Sequence, residues 1–217
     1  MMDAPIVYAW VAICGCVIIL VLIHDHQKKK ATLKRFHRRI RSTRRTVSPR
    51  KDEFLQDLFA DVQHYAWVVF NFKPDVPVIV KYSTSIDLYK MSMPHNGKSL
   101  VPAGLCISGR EGIRIFVEQK PENELFYILA HEYAHAWQQI DKFSSSSIEQ
   151  NEGFAEWFAY QLTEFAGYEI PKHIKQPLSY NLYVSGREKF NTLETKYGWI
   201  GALKAGTSSK TNIKMLK

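Results

Sequence analysis

Residues 131–135 read His-Glu-Tyr-Ala-His, and they lie inside an apolar run. Leu125, Phe126, Ile128 and Leu129 precede them, and Ala136 and Trp137 follow. Apolar residues at this spacing predict one largely buried helix, running from Pro121 to about Asp141. Proline suits its first position, where the missing N–H costs nothing. Two imidazoles and a carboxylate are expensive in such a helix unless something compensates them. Positions i and i+4 share a face, so His131 and His135 can grip one ion together. Each can reach a zinc ion at about 2.0–2.1 Å. Glu132 stands beside them, placed to take a proton from water.

A catalytic zinc needs a third protein ligand and an open fourth position. The next helical segment carries Asn151-Glu152-Gly153-Phe154-Ala155-Glu156-Trp157. A serine stretch, Ser144 to Ser147, separates the two helices and lets them pack antiparallel. Ser147 can cap the second helix, with Gln150 three residues on as in a capping box. Glu152 is therefore the expected third ligand. Glu156, one turn further, can accept the second N–H of a ligand histidine and fix its tautomer. The apolar neighbours Phe154, Ala155, Trp157 and Phe158 argue that both carboxylates face inward.

At these residues the chain resembles the gluzincin class of metallopeptidases. HEYAH matches the HExxH helix, and NEGFAEW is similar to the segment that brings the third ligand, with NEGFA closest to the alanyl aminopeptidase family. The resemblance covers about residues 121–160. It implies one Zn2+ held by His131, His135 and Glu152, with Glu132 as general base and later proton donor, and Glu156 orienting a ligand histidine. It also implies a transition-state donor, for which Tyr180, Tyr183 and His173 are the downstream candidates. In that class an edge strand before the HExxH helix holds the substrate backbone, and Ile113 to Val117 is the matching segment. The 16 residues between His135 and Glu152 are fewer than in the aminopeptidases, and no GxMxN-like segment is present. Aminopeptidase specificity is therefore not implied. The expected activity is hydrolysis of a peptide or protein substrate, most simply as an endopeptidase. The alternative is an inactive fold of the same type that recruits a partner at a membrane.

Residues 4–23 contain no charged side chain. About 20 apolar residues span a bilayer as a helix, so a single-pass membrane anchor is expected there. A basic linker follows over residues 24–51. Residues 1–51 hold 12 of the 29 Lys and Arg but only 2 of the 21 Asp and Glu, so the net charge of +8 belongs to this segment. The remainder is slightly acidic, which removes most of the support for nucleic-acid binding. Lys and Arg beside a span stay on the cytoplasmic side, so the following domain is expected there. The same cluster can hold anionic lipid headgroups.

The body spans residues 52–205. A helix is expected over 53–72, a strand over 75–82, a turn-rich stretch over 83–98, and two strands over 100–107 and 113–117 with a hairpin loop between them. The two motif helices follow, then a helix over about 180–197 and a disordered tail over 206–217. This order predicts an α+β, zincin-like domain. Cys106, the one cysteine of the body, reads as core packing.

Overall fold

The computed structural model describes residues 51–92, 102–140, 147–172 and 182–207. All of them fall within one compact unit, Pro49–Lys217. The anchor and nearly all of the basic linker, the serine stretch up to Ser146, His173, Tyr180 and most of the expected tail lie outside the described residues.

Helix α1 covers Lys51–Phe70 and buries Leu55, Leu58, Phe59, Val62, Tyr65, Ala66 and Phe70. Those positions recur every three or four residues, which makes a single inward stripe. Lys51, expected in the linker, is thus the first residue of this helix. Strand β1 is Val78–Tyr82, and a short helix, α2, covers Ser85–Ser92. The turn-rich reading of residues 83–98 missed α2 because only Leu88 in it is buried, too little to make a periodic pattern. Thr84 caps it, its Oγ1 accepting from the Asp87 backbone N–H at 3.2 Å.

Strands β2 (Gly104–Gly109) and β3 (Gly112–Val117) form a hairpin with two loop residues, Arg110 and Glu111. The sheet order is β1-β3-β2, with β3 parallel to β1 and antiparallel to β2. This corrects the expectation for Ile113 to Val117. That segment is the central strand, and both of its edges are already bonded. Among the described residues, β2 is the outer strand beside the motif helix, and its outward edge faces Glu132 and Gln139 of that helix.

Helix α3 (Glu122–Ile140) carries HEYAH, and α4 (Ile148–Ala166) carries NEGFAE. Ser147 caps α4, its hydroxyl accepting from the Gln150 N–H, and Gly167 ends it in the left-handed conformation at φ 72°. The Gln150 side chain reaches the Ala205 carbonyl at 3.1 Å. Helix α5 covers Leu182–Thr207 and bends at Gly198, so it runs past the expected end and takes in two residues assigned to the tail. Among the described residues no helix is long and apolar enough to cross a membrane.

The fold is α+β: five helices and a three-stranded sheet in the described residues. The core lies between the sheet and helices α1 and α3, and continues where α4 packs against those two helices and α5. Its aromatic rings interlock, with Phe72 stacked on Trp137 at 4.0 Å and Phe70 on Phe158 at 4.7 Å. Trp157 is fully buried, and its indole N–H donates to Glu194 of α5 at 2.9 Å. This packing brings α3, α4 and α5 together around the polar cluster on α3.

Candidate metal centre

His131 and His135 project from one face of α3, as their spacing predicts. Their Nε2 atoms are 3.1 Å apart. Glu152 Oε2, from α4, lies 3.3 Å from His131 Nε2 and 3.5 Å from His135 Nε2. Three donor atoms thus form a nearly equilateral triangle. Bonds of about 2.0–2.2 Å at tetrahedral angles put ligand atoms about 3.3–3.6 Å apart. Two sides of the triangle fall in this range and the third is about 0.2 Å shorter, so the three residues sit within ligand distance of one another and are compatible with a metal site.

The charges of these residues are strongly coupled. Burial disfavours a charged His131, yet the hydrogen bonds to Glu152 and Glu156 and the charge of Glu132 raise its pKa well above 6.5. Burial pushes the Glu152 carboxyl up, but bonds to both histidines outweigh it and hold the acid below its ordinary 4.5. Without an ion, the cluster must keep a proton between the imidazoles and the carboxylates. A divalent cation held there would take neutral imidazoles instead.

Glu132 is 7% exposed. Burial raises its pKa above 4.5, while His131 and His135 pull it back. The Cys106 backbone N–H of β2 bonds this carboxylate. Gly104, two residues earlier on β2, packs so closely that a Cβ there would lie 2.8 Å from Glu132 Cγ and Oε1. The outer strand and the base are therefore in contact. Cys106 is half-buried at this junction rather than in the core, and burial and Glu132 push its thiol pKa far up. Gln139 donates to the Cys106 carbonyl at 3.4 Å.

Glu156 stands behind His131, with Oε1 3.3 Å from Nδ1. Its other oxygen accepts from the Tyr127 hydroxyl at 2.5 Å. Burial would raise the Glu156 pKa, but His131, Tyr127 and Arg187 together lower it. Behind His135 stands Gln138, whose Oε1 is 2.9 Å from Nδ1. Sequence reasoning found Glu156 and missed Tyr127, Gln138 and Gly104. The signal for Gln138 was a polar side chain three residues from His135 in an otherwise apolar helix.

Of the three donor candidates, Tyr183 is the one the described residues include. It comes from α5, its ring centroid 6.3 Å from that of His131. Burial, then Glu152, Glu156 and Glu132, push its pKa up to about 12. The hydroxyl therefore stays protonated at neutral pH and can donate.

No family model, curated protein or solved structure matches this chain.

Proposed function

We propose that this chain is a gluzincin-type zinc endopeptidase, with zinc held by His131, His135 and Glu152. The observation that carries the reading is the 3.1–3.5 Å triangle of donor atoms with a buried carboxylate, Glu132, next to it. Two imidazoles and one carboxylate are a donor set that zinc favours in hydrolytic sites. Bound there, zinc supplies a Lewis acid that acidifies water and polarises a carbonyl.

The chain's own groups supply the proton transfers. Glu132 takes a proton from the attacking water as its oxygen bonds to the scissile carbonyl carbon. The raised pKa of Glu132 suits it to hold that proton and pass it to the leaving amine as the C–N bond breaks. Tyr183 donates a hydrogen bond to the oxyanion that develops. The outer edge of β2 is the surface on which an extended peptide can lie, because it is the edge that touches Glu132. Residues 4–23 anchor the chain in a membrane, and the basic residues that follow hold the domain on the cytoplasmic side.

The test uses the full-length protein in detergent. Metal content is measured first, then hydrolysis of casein or a peptide library, with Glu132→Gln as control. The expected result is one zinc per chain in both proteins, with activity lower by about 10²–10⁴-fold in the variant. Equal activity in the two proteins removes Glu132 from the chemistry and favours the recruiting role instead.

A further inference from the structure

The two ligand histidines are backed by chemically different groups. His131 Nδ1 faces a carboxylate, Glu156, at 3.3 Å. His135 Nδ1 faces a neutral amide, Gln138, at 2.9 Å. Gln138 is only 4% exposed. Its amide nitrogen donates to the backbone carbonyl of Asn151 on α4 at 3.2 Å. Asn151 immediately precedes the third ligand, Glu152.

This arrangement has one consistent assignment of donors. The Asn151 carbonyl can only accept, so the Gln138 nitrogen must face it. The Gln138 oxygen is then fixed toward His135, and His135 Nδ1 must carry the proton. In the neutral imidazole Nε2 is then left as a lone pair, aimed at His131 and Glu152. A side chain that could rotate freely in solvent would select nothing; this one is pinned at both ends inside the protein.

We propose that Gln138 is a positioning residue for the metal centre. It holds His135 in the tautomer whose Nε2 can bind an ion. It also ties that histidine to the backbone next to Glu152, and so sets the spacing between the two helices that carry the ligands. An amide does this without adding charge. Glu132, Glu152 and Glu156 already crowd three carboxylates around the site, and a fourth anion would add to a repulsion that burial strengthens. This inference rests on the metal-centre reading, and it is independent of whether the substrate is a peptide.

The experiment compares full-length wild type with Gln138→Met and Gln138→Glu. Met fills the same space with no hydrogen bond, whereas Glu keeps an acceptor for His135 and loses the donor to Asn151. Three quantities are read: zinc affinity by competition with a chromophoric chelator, the absorption spectrum of the cobalt-substituted protein, and the melting temperature after chelation. The expected result is an affinity lower by about 10–100-fold in Gln138→Met, with an altered cobalt spectrum. Gln138→Glu keeps the acceptor for His135 but loses the bond to Asn151 and adds a buried charge, so its melting temperature should fall while its zinc affinity lies between those of wild type and Gln138→Met. Gln138→Asn keeps an amide but is too short to span both partners, and it makes the same test should the Met variant not fold. The proposal is overturned if the Met variant loses melting temperature but keeps wild-type affinity and spectrum, since Gln138 is then a packing residue only. It is also overturned if the zinc affinity of Gln138→Glu falls as far as that of Gln138→Met. Wild type that takes up no stoichiometric metal removes the metal centre itself, and that outcome is read before any variant is made.

Discussion

Gly153 of α4 and Gly186 of α5 meet backbone to backbone: a Cβ on Gly153 would lie 2.4 Å from Gly186 Cα, and one on Gly186 would lie 2.5 Å from Gly153 Cα. Neither position has room for a side chain. The contact is next to Glu152 in sequence, and Tyr183 lies three residues before Gly186, one turn along the same face. The crossing of two helices at a glycine pair therefore decides where the phenol stands relative to His131, His135 and Glu152. Flanking bonds secure it, with the Ser185 hydroxyl donating to Glu149 at 2.5 Å and Lys189 paired with Glu149 at 2.8 Å.

Replacing either glycine by alanine should force α4 and α5 apart. Overpacking of this kind costs about 1–3 kcal/mol, so a lower melting temperature is expected from Gly153→Ala and from Gly186→Ala. Displacement of Tyr183 adds a second signature. In the Gly186→Ala protein kcat should fall, while zinc content stays at one per chain, because His131, His135 and Glu152 do not lie on α5. Calorimetry and metal analysis on the same preparation check both. A variant as stable as wild type would show that the helices do not press on each other here.

Tyr183→Phe isolates the hydroxyl from the crossing. The ring and its packing remain, and only the donor is lost. With the phenol pKa pushed up to about 12, wild type keeps this proton throughout the working range. Loss of one oxyanion donor reduces kcat by about 10²–10³-fold. Zinc affinity and KM should change little, since the bond strengthens only as charge develops. A change confined to KM would instead assign Tyr183 to substrate binding.

The parts of the site that were legible in the sequence are those built from local repeats. HEYAH and NEGFAE lie on long helices with strong apolar periodicity, so the facing of His131, His135, Glu152 and Glu156 follows from helical spacing and the short loop between them. What was not legible depends on partners distant in sequence. Gly153 could be seen only as part of a motif, because its neighbour Gly186 lies on a helix with little amphipathic pattern. The order of the strands was equally hidden. Nothing local in Ile113–Val117 announces that β1 pairs along its far side, and that pairing makes β2 the edge strand. Gln138 was overlooked because a glutamine near the end of a helix usually faces water, and its burial depends on where α4 packs.

Glu156 and Tyr127 offer a graded test of the groups behind His131. Glu156→Leu removes the acceptor of the His131 Nδ1–H, and zinc affinity should fall by about 10–100-fold. Tyr127→Phe leaves the carboxylate in place but takes away the 2.5 Å hydrogen bond that holds it. Hydrogen bonds to charged groups are worth about 1.5–3 kcal/mol, and only part of that reaches the metal through Glu156. A chelator-competition titration should therefore order the proteins as wild type, then Tyr127→Phe, then Glu156→Leu. A larger loss in Tyr127→Phe than in Glu156→Leu would mean that the tyrosine acts by another route.

The pH dependence of stability should differ in sign between the metal-free and metal-loaded protein. In the metal-free protein His131 has a pKa well above 6.5, with burial opposing and Glu152 and Glu156 imposing the rise. Stabilisation from a raised histidine pKa is complete below 6.5 and is lost as pH climbs through the folded value. Glu152 and Glu156 are lowered from 4.5 by the same pairing, against burial. Their share is present above 4.5 and is lost as pH falls through their lower folded values. Glu132, raised by burial, costs stability as pH climbs from 4.5 through its folded value, which tilts the curve downward with rising pH from within that range. Metal-free stability should accordingly be greatest between about pH 4.5 and 6.5 and decline above that window. Zinc takes neutral imidazole, so its binding strengthens as protons leave. Melting curves across this range, with chelator and with saturating zinc, should diverge above about pH 6.5, the chelated protein falling while the zinc form holds or rises. His131→Asn should flatten the alkaline decline of the chelated protein. Parallel curves with and without zinc would show that the triad neither stores a proton nor exchanges it for a metal.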